Sequence, residues 1–268
     1  MNTAQAFLND GLVVFRRNLI KVVRVPDILV FTLISPIMFV LLFAYVFGGS
    51  ISLAGGTNYR EFLIAGIFVQ TVVFGSTFTG MGVADDMQKG VIDRFRSLPM
   101  ARSAVLVGRT LSDIGINVIS LAIMATTGLI IGWRTHRSPL HVLAGFLVIL
   151  LFAYCFSWVM AFVALKVKSP EVVNNASFIV IFPLTFVANT FVPLENLPGP
   201  LKVFAEWNPV SSATRAAREL FGNASGVRVQ SHAWPLMHPV LYTLLAVLAV
   251  LAVFVPFATR EYQRAALR

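Results

Sequence analysis

Residues 62–109 read FLIAGIFVQTVVFGSTFTGMGVADDMQKGVIDRFRSLPMARSAVLVGR. The first 23 of them, 62–84, carry no charge, and about 20 apolar residues suffice for a helix to cross the hydrocarbon core of a bilayer. The chain then turns abruptly polar at Asp85 and becomes apolar again from Leu106. Within the polar link, Met87, Val91, Ile92, Phe95 and Leu98 fall on one face of a helix. Asp85, Asp86, Gln88, Lys89, Asp93, Arg94 and Arg96 take the other. The acids lead and the arginines trail, which suits the helix dipole. Pro99 ends the pattern, because it has no amide proton and clashes with the preceding turn. The expectation is an amphipathic helix over 85–98, held between two spans. A helix resting on the membrane surface has the same pattern, but mixed charge on a short rigid lever suits docking into a soluble partner.

The rest of the chain agrees with this alternation. Of 268 residues 57% are hydrophobic and 12% charged, against about 25% charged in soluble domains. A polytopic membrane protein follows. Six apolar runs are spans or nearly so: 28–48, 62–84, 106–132, 140–165, 174–192 and 236–257. They are continuous, not alternating, so an all-α bundle is expected and not a barrel. Pro183 predicts a kink in the fifth. One domain over 1–268 accounts for the whole, with no repeat or long soluble linker.

Basic residues orient the bundle. With the N-terminus inside, 14 of the 21 Lys and Arg fall on inner segments and 7 on outer ones. Both termini are therefore expected in the cytoplasm, and the 85–99 link with them. The net charge of +9 reads as attraction to an anionic inner leaflet, not to nucleic acid, because the basic residues flank apolar runs. In residues 1–25, Leu8, Leu12, Phe15, Leu19 and Val22 form a stripe, with Arg16, Arg17, Lys21 and Arg24 mostly off it. That predicts a helix lying in the inner interface, retained and not cleaved as a signal peptide.

Several chemistries are excluded. There is no GxxxxGK[ST] and no Gly-Lys pair, so the chain cannot hold ATP in a P-loop. The single cysteine, Cys155, supports neither a disulfide nor a cysteine-rich metal site. His232 and His238 have no third ligand nearby, and no hydrolytic motif appears. The spans lack a midplane carboxylate of the kind ion-coupled carriers keep; Glu61 and Asp113 lie near span ends, and Asp113 follows Arg109 by four, a helix-face pair. Energy must come from a partner. The second span also holds Gln70, Thr71, Ser76, Thr77 and Thr79 among Gly66, Gly75, Gly80 and Gly82. Small residues let helices approach closely; the same set can line a moderately polar path.

The outer segment 193–235 is too long for an ordinary loop. Leu197, Leu201 and Phe204 mark a short helix ending near Trp207. Asn208 caps a second, with Pro209 at its first position, and Gly222–Asn223 stops it. Two short amphipathic helices at the outer mouth are expected, either on the leaflet or re-entrant.

The run Gly90 to Arg102 (GVIDRFRSLPMAR), with Gly108–Arg109 after it, resembles the cytoplasmic signature of ABC exporter permeases of the second type, in the daunorubicin-resistance-like drug and lipid export branch. A second resemblance lies in FVPLENLP (191–198), Asn208–Pro209, Arg215 and Arg218. The resemblance implies two permease subunits, identical or paralogous, with a path at their interface, and two ABC ATPase subunits below. This chain would bind no cofactor; ATP and magnesium would sit on the ATPase. The 85–99 link would be the coupling helix, its contacts Asp85, Asp86, Val91, Arg94, Phe95, Arg96, Leu98 and Pro99. The outer gate would use Phe191, Val192, Pro193, Leu201, Phe204, Asn208 and Pro209. Gln70, Thr71, Ser76, Thr77 and Asn189 are candidates to line the path. The expected setting is a bacterial cell membrane, with lipids as further partners. The cargo class expected is hydrophobic or amphipathic drugs or lipids, since 23 Phe stand against 5 Tyr and 4 Trp. Polysaccharide export, or a channel or scaffold without a transport cycle, are the alternatives.

Overall fold

A computed structural model describes residues 13, 15–17, 20, 26–47, 59–91, 102–167, 169–191, 194, 197–224 and 233–265. The described residues form helices and no strand. They are α1 (Pro26–Leu42, extended by a wider π turn Phe43–Phe47), α2 (Tyr59–Gln88), α3 (Arg102–Ile130), α4 (Pro139–Val167), α5 (Pro170–Phe186), α6 (Gly199–Trp207), α7 (Pro209–Phe221), α8 (Trp234–Met237) and α9 (Pro239–Ala265).

Among the described residues four helices are long and apolar enough to cross a membrane: Tyr59–Gln88, Val105–Ile130, Pro139–Val167 and Pro239–Arg264. The first and fifth expected spans, 28–48 and 174–192, contain shorter apolar helices, Ile34–Val46 and Pro170–Phe186. Both helices carry an internal proline. Pro36 lies inside α1, whose last residues pass into the π turn. Pro183 lies inside α5, which gives way after Phe186 to the turn through Asn189 and Thr190.

α2 is the axis of the bundle. It packs against α1, α3, α4, α5 and α7. Phe62, Leu63, Ile64, Ile67, Phe68, Val69, Val72 and Val73 are all sealed from solvent. A Cβ on Gly66 would overlap the Thr190 carbonyl, so only glycine admits that backbone. α9 packs on α4 and α7 but leaves Leu241, Leu245, Leu248, Val253 and Phe257 exposed, as a lipid-facing helix would. The end with Gln88, Val167, Pro170 and Ala265 is termed basal; the end with Tyr59, Ile130, Pro139 and Pro239 apical.

Only the start of the expected 85–98 helix falls on described residues. Asp85–Gln88 are the last turn of α2, not the start of a new element. The chain then turns, with Lys89 N–H donating to Asp85 O, Gly90 N–H donating to Met87 O, and Gly90 at φ 64°. That left-handed backbone is cheap for glycine alone, and it interrupts the helix between Met87 and Val91. Residues 92–101 lie outside the described set. So does most of 1–25; Val13, Phe15–Arg17 and Ile20 are helical, and the Arg17 guanidinium donates to Asp86 Oδ2 at 2.8 Å.

The apical segment follows its local signals. Asn208 Oδ1 accepts from Val210 N–H at 2.9 Å and caps α7, with Pro209 at the first helical position. Gly222, at φ 81°, ends it with bonds back to the last turn. The two short helices then differ. α7 is embedded, with Val210, Ala213, Ala216, Ala217 and Phe221 fully buried. α6 exposes Leu201, Val203, Phe204 and Trp207.

Candidate functional site: a groove along the basal half of α2

From Gln70 to Gln88, α2 borders a groove of about 750 Å³ whose other walls are α3, α5 and the last turns of α1. Nineteen helical residues, with a rise of about 1.5 Å between neighbours, make it about 27 Å long.

Its chemistry is divided by face. Arg109, Asp113, Asn117 and Ser120 line it from α3; their spacings of four, four and three put them on one stripe. Phe39 of α1, Phe74 and Phe78 of α2, and Phe178, Phe182 and Phe186 of α5 supply an aromatic wall. The α3 stripe approaches α2 where α2 has glycine. A Cβ at Gly82 would overlap the Arg109 guanidinium, and one at Gly75 would meet Asn117 Oδ1 at 3.0 Å. Arg109 therefore lies flat on α2, its Nη2 donating to Phe78 O at 3.1 Å. Arg109 Nε stands 3.6 Å from Asp113 Oδ2, an ion pair too long for a hydrogen bond. Asp113 is 5% exposed, and its Oδ2 accepts no hydrogen bond among the described residues. At the basal rim, Asp85 pairs with Lys89 at 2.7 Å; that bond raises the pKa of the exposed Lys89 ammonium. Glu171 accepts from the Ser169 hydroxyl at 2.6 Å, which lowers the pKa of its carboxyl.

The apical end of the groove closes on aromatic rings. Phe182 stacks on Phe186 at 4.1 Å, Phe186 meets Phe191 at 5.3 Å, and Phe191 stacks on Phe43 at 4.5 Å. The Tyr59 hydroxyl donates to the Phe191 carbonyl at 3.0 Å. Beyond this plug α7 is clamped. Arg218 Nε donates to Phe62 O at 2.8 Å and Nη2 to Thr190 O at 3.0 Å. Its guanidinium lies 3.5 Å over the Phe62 ring. Asn223 accepts from Trp133 Nε1 at 3.0 Å and donates to Arg134 O at 2.8 Å. Asn208 Nδ2 donates to Leu184 O and Val187 O, at 2.7 and 2.9 Å, tying the α6–α7 joint to the end of α5.

Among the expected path residues, Gln70, Thr71 and Thr77 line the groove. Ser76 turns inward and donates to Val73 O at 2.6 Å. Asn189 is buried beside α7, its backbone N–H donating to Ser211 Oγ at 3.2 Å. Of the gate residues, Phe191 joins the aromatic plug, Asn208 and Pro209 form the α6–α7 joint, and Leu201 and Phe204 sit exposed on α6, apart from it. Val192 and Pro193 lie outside the described residues. Of the coupling residues, Asp85 borders the groove, Asp86 holds Arg17, and Val91 follows the Gly90 turn. Arg94, Phe95, Arg96, Leu98 and Pro99 lie outside the described residues. The Asn117 and Ser120 extension of the Arg109–Asp113 pair was missed, although its helical spacing stands in an otherwise apolar run.

Comparison with known proteins identifies the family. The family model described as ABC-2 type transporter matches residues 11–221. The chain is 34% identical over 238 residues to the daunorubicin resistance ABC transporter permease protein DrrB1 of Streptomyces coeruleorubidus, covering 89% of this chain and 80% of that protein. It is 25% identical over 206 residues to the doxorubicin resistance ABC transporter permease protein DrrB of Mycobacterium tuberculosis, covering 77% and 71%. The chain belongs to the ABC-2 type transporter family, as a membrane permease whose ATPase is a separate subunit.

Proposed function

We propose that this permease moves hydrophobic or amphipathic drugs or lipids outward across a bacterial cell membrane, driven by two ABC ATPase subunits that bind ATP and magnesium. A second permease, identical or paralogous, completes the path. The observation that carries this reading is the groove. It is of drug-binding size, open to the side of the bundle, and lined among the described residues by six phenylalanines with no tyrosine or tryptophan. Polysaccharide paths favour tyrosine and tryptophan platforms, so this lining favours drug or lipid cargo over sugar export.

In this reading α1 and α5 complete six spans, both termini are cytoplasmic, and the basal end faces the ATPase. Segment 85–99 is the coupling element, with Arg94, Phe95, Arg96, Leu98 and Pro99 against the ATPase and Asp85 and Asp86 at its root. The Arg17–Asp86 pair links the N-terminal interfacial segment to that root. On the outer side, α6 and α7 form a re-entrant pair whose gate includes Phe191, Val192, Pro193, Leu201, Phe204, Asn208 and Pro209. Gln70, Thr71, Ser76, Thr77 and Asn189 belong to the path wall.

The test is reconstitution in proteoliposomes with and without the P-loop ATPase subunit. The complex is expected to move an amphipathic dye only with hydrolysable ATP, and the permease alone to hydrolyse none. Dye movement unaffected by omitting ATP would make the chain a channel. Hydrolysis persisting after every P-loop protein is removed would overturn the assignment.

A further inference from the structure

At the apical end, α7 carries a buried charge that its neighbours do not balance. Arg218 is 3% exposed. Its partners among the described residues are the Phe62 and Thr190 carbonyls and the Phe62 ring, with no carboxylate. Glu219, the acid next to it in sequence, is taken by Arg215 at 3.1 Å. A buried cation without an anion is costly. The hydroxyls beside it are unsatisfied as well. Ser211, Thr214 and Arg218 recur at spacings of three and four and share one stripe of α7. Both ends of that stripe are bonded to the turn after α5: Ser211 Oγ accepts from the Asn189 N–H, and Arg218 Nη2 donates to Thr190 O. Thr214, between them, is thereby held against the same turn. Thr190 and Thr214 are fully buried, and Thr190 Oγ1, Thr214 Oγ1 and Asn189 Oδ1 have no hydrogen-bond partner among the described residues. Thr110, Thr126, Thr127, Thr185 and Thr259 each return the hydroxyl to a carbonyl of their own helix. Thr214 does not, so its donor is unspent.

We propose that α7 and the turn after α5 enclose a halide-sized anion beside Arg218, held by the Thr190 and Thr214 hydroxyls. The three unpaired polar atoms alone would suit a buried water; the unbalanced guanidinium next to them calls for negative charge. Each hydroxyl has one hydrogen to donate, and bonds from such donors to an anion are stronger than neutral ones. A half-turn of the Asn189 amide brings its NH2 to the same point. Enclosure sets the size. Thr190 and Thr214 expose nothing, and a Cβ on Gly66 would already overlap the Thr190 carbonyl, so a lipid phosphate or a carboxylate has no room. Chloride is the abundant anion that does. It fastens to α7 the turn that carries Phe191 into the aromatic plug, whatever cargo the groove takes.

The experiment follows thermal unfolding of the full chain in phosphatidylcholine nanodiscs while sodium gluconate is exchanged for sodium chloride at constant ionic strength. The wild-type midpoint is expected to rise by about 3 °C or more and then saturate, as binding to the folded state alone requires. Sodium bromide should act in the same way. Thr214→Val keeps the shape and removes one donor, so its midpoint should no longer respond to chloride. In gluconate it should unfold no earlier than wild type, because an unpaired buried hydroxyl has been removed. Thr190→Val should behave likewise and serves if Thr214→Val fails to fold. A wild-type midpoint without a saturable chloride response would overturn the proposal. So would equal chloride responses in wild type and both variants, the mark of an anion bound elsewhere. Midpoints lowered by the same amount in gluconate and in chloride would make the hydroxyls partners of a buried water and overturn it too. None of these outcomes bears on ATP-driven export by the complex.

Discussion

The two halves of α2 share one helix, yet they differ in composition and in surroundings. The apical half, Phe62 to Val73, is enclosed by its neighbours except where Gln70 and Thr71 reach the groove, with Gly66 set against the Thr190 backbone and Arg218 bonded to the Phe62 carbonyl. The basal half, Phe74 to Gln88, gives one flank to the groove and leaves Phe78 52% exposed. Packing density separates a part that holds the fold from a part that can accept a ligand. Substitutions in the apical half should therefore act on stability, and substitutions in the basal half on transport.

The largest effect is expected at Gly66. A methyl group there meets backbone, which cannot rotate away, so Gly66→Ala should destabilise the bundle by about 3 kcal/mol or more. Gly75→Ala on the groove side meets only the end of the Asn117 side chain at 3.0 Å and should cost much less. Thermal unfolding of the two purified variants compares them directly, and equal losses would remove the distinction between the halves. Next comes Arg218→Met. It keeps the bulk but leaves the Phe62 and Thr190 carbonyls without this donor, at about 1–3 kcal/mol for each buried unsatisfied group. The arginine's own desolvation cost is recovered in part, so a net loss of about 2–3 kcal/mol is expected, read as a fall in unfolding midpoint. Asn208→Ala follows at about 2 kcal/mol, because it removes the α7 cap and both bonds to the end of α5. A midpoint within error of wild type would detach that joint from the fold. The smallest change in stability is expected for Phe178→Ala. Its ring is 48% exposed, so unfolding should stay within about 0.5 kcal/mol of wild type, while ATP-driven dye transport falls severalfold.

What the sequence foretold divides along the same physical line. The Asn208–Pro209 start and Gly222 stop of α7 were legible because caps are local: a side chain two residues away, a ring that fixes φ, a glycine that accepts positive φ. The apolar runs located α2, α3, α4 and α9 because length and hydropathy are sums over one segment. The different fates of α6 and α7 were not legible. Both are short and amphipathic, and what embeds α7 is Arg218 meeting carbonyls 156 and 28 residues away in sequence. The 85–98 stripe was counted across Gly90, whose φ of 64° interrupts the helix after Gln88, and its later members lie outside the described residues. The groove was half legible. Gln70, Thr71 and Thr77 were found by polarity inside a span. The Asn117–Ser120 continuation needed α3 laid against the α2 glycines before its polar residues could be assigned to one wall.

The central claim is that cargo passes through the groove beside basal α2, and blocking it tests that claim most directly. Cys155 is 1% exposed, and in a Cys155→Ala background a single Phe178→Cys can be tagged with a bulky thiol reagent. The tagged permease is then reconstituted with its ATPase, and ATP-driven dye efflux is measured beside the untagged sample. Near-complete loss of transport on tagging, with the unfolding midpoint unchanged and the ATPase still bound, is the predicted result. Transport continuing at the untagged rate with the groove filled would contradict the account.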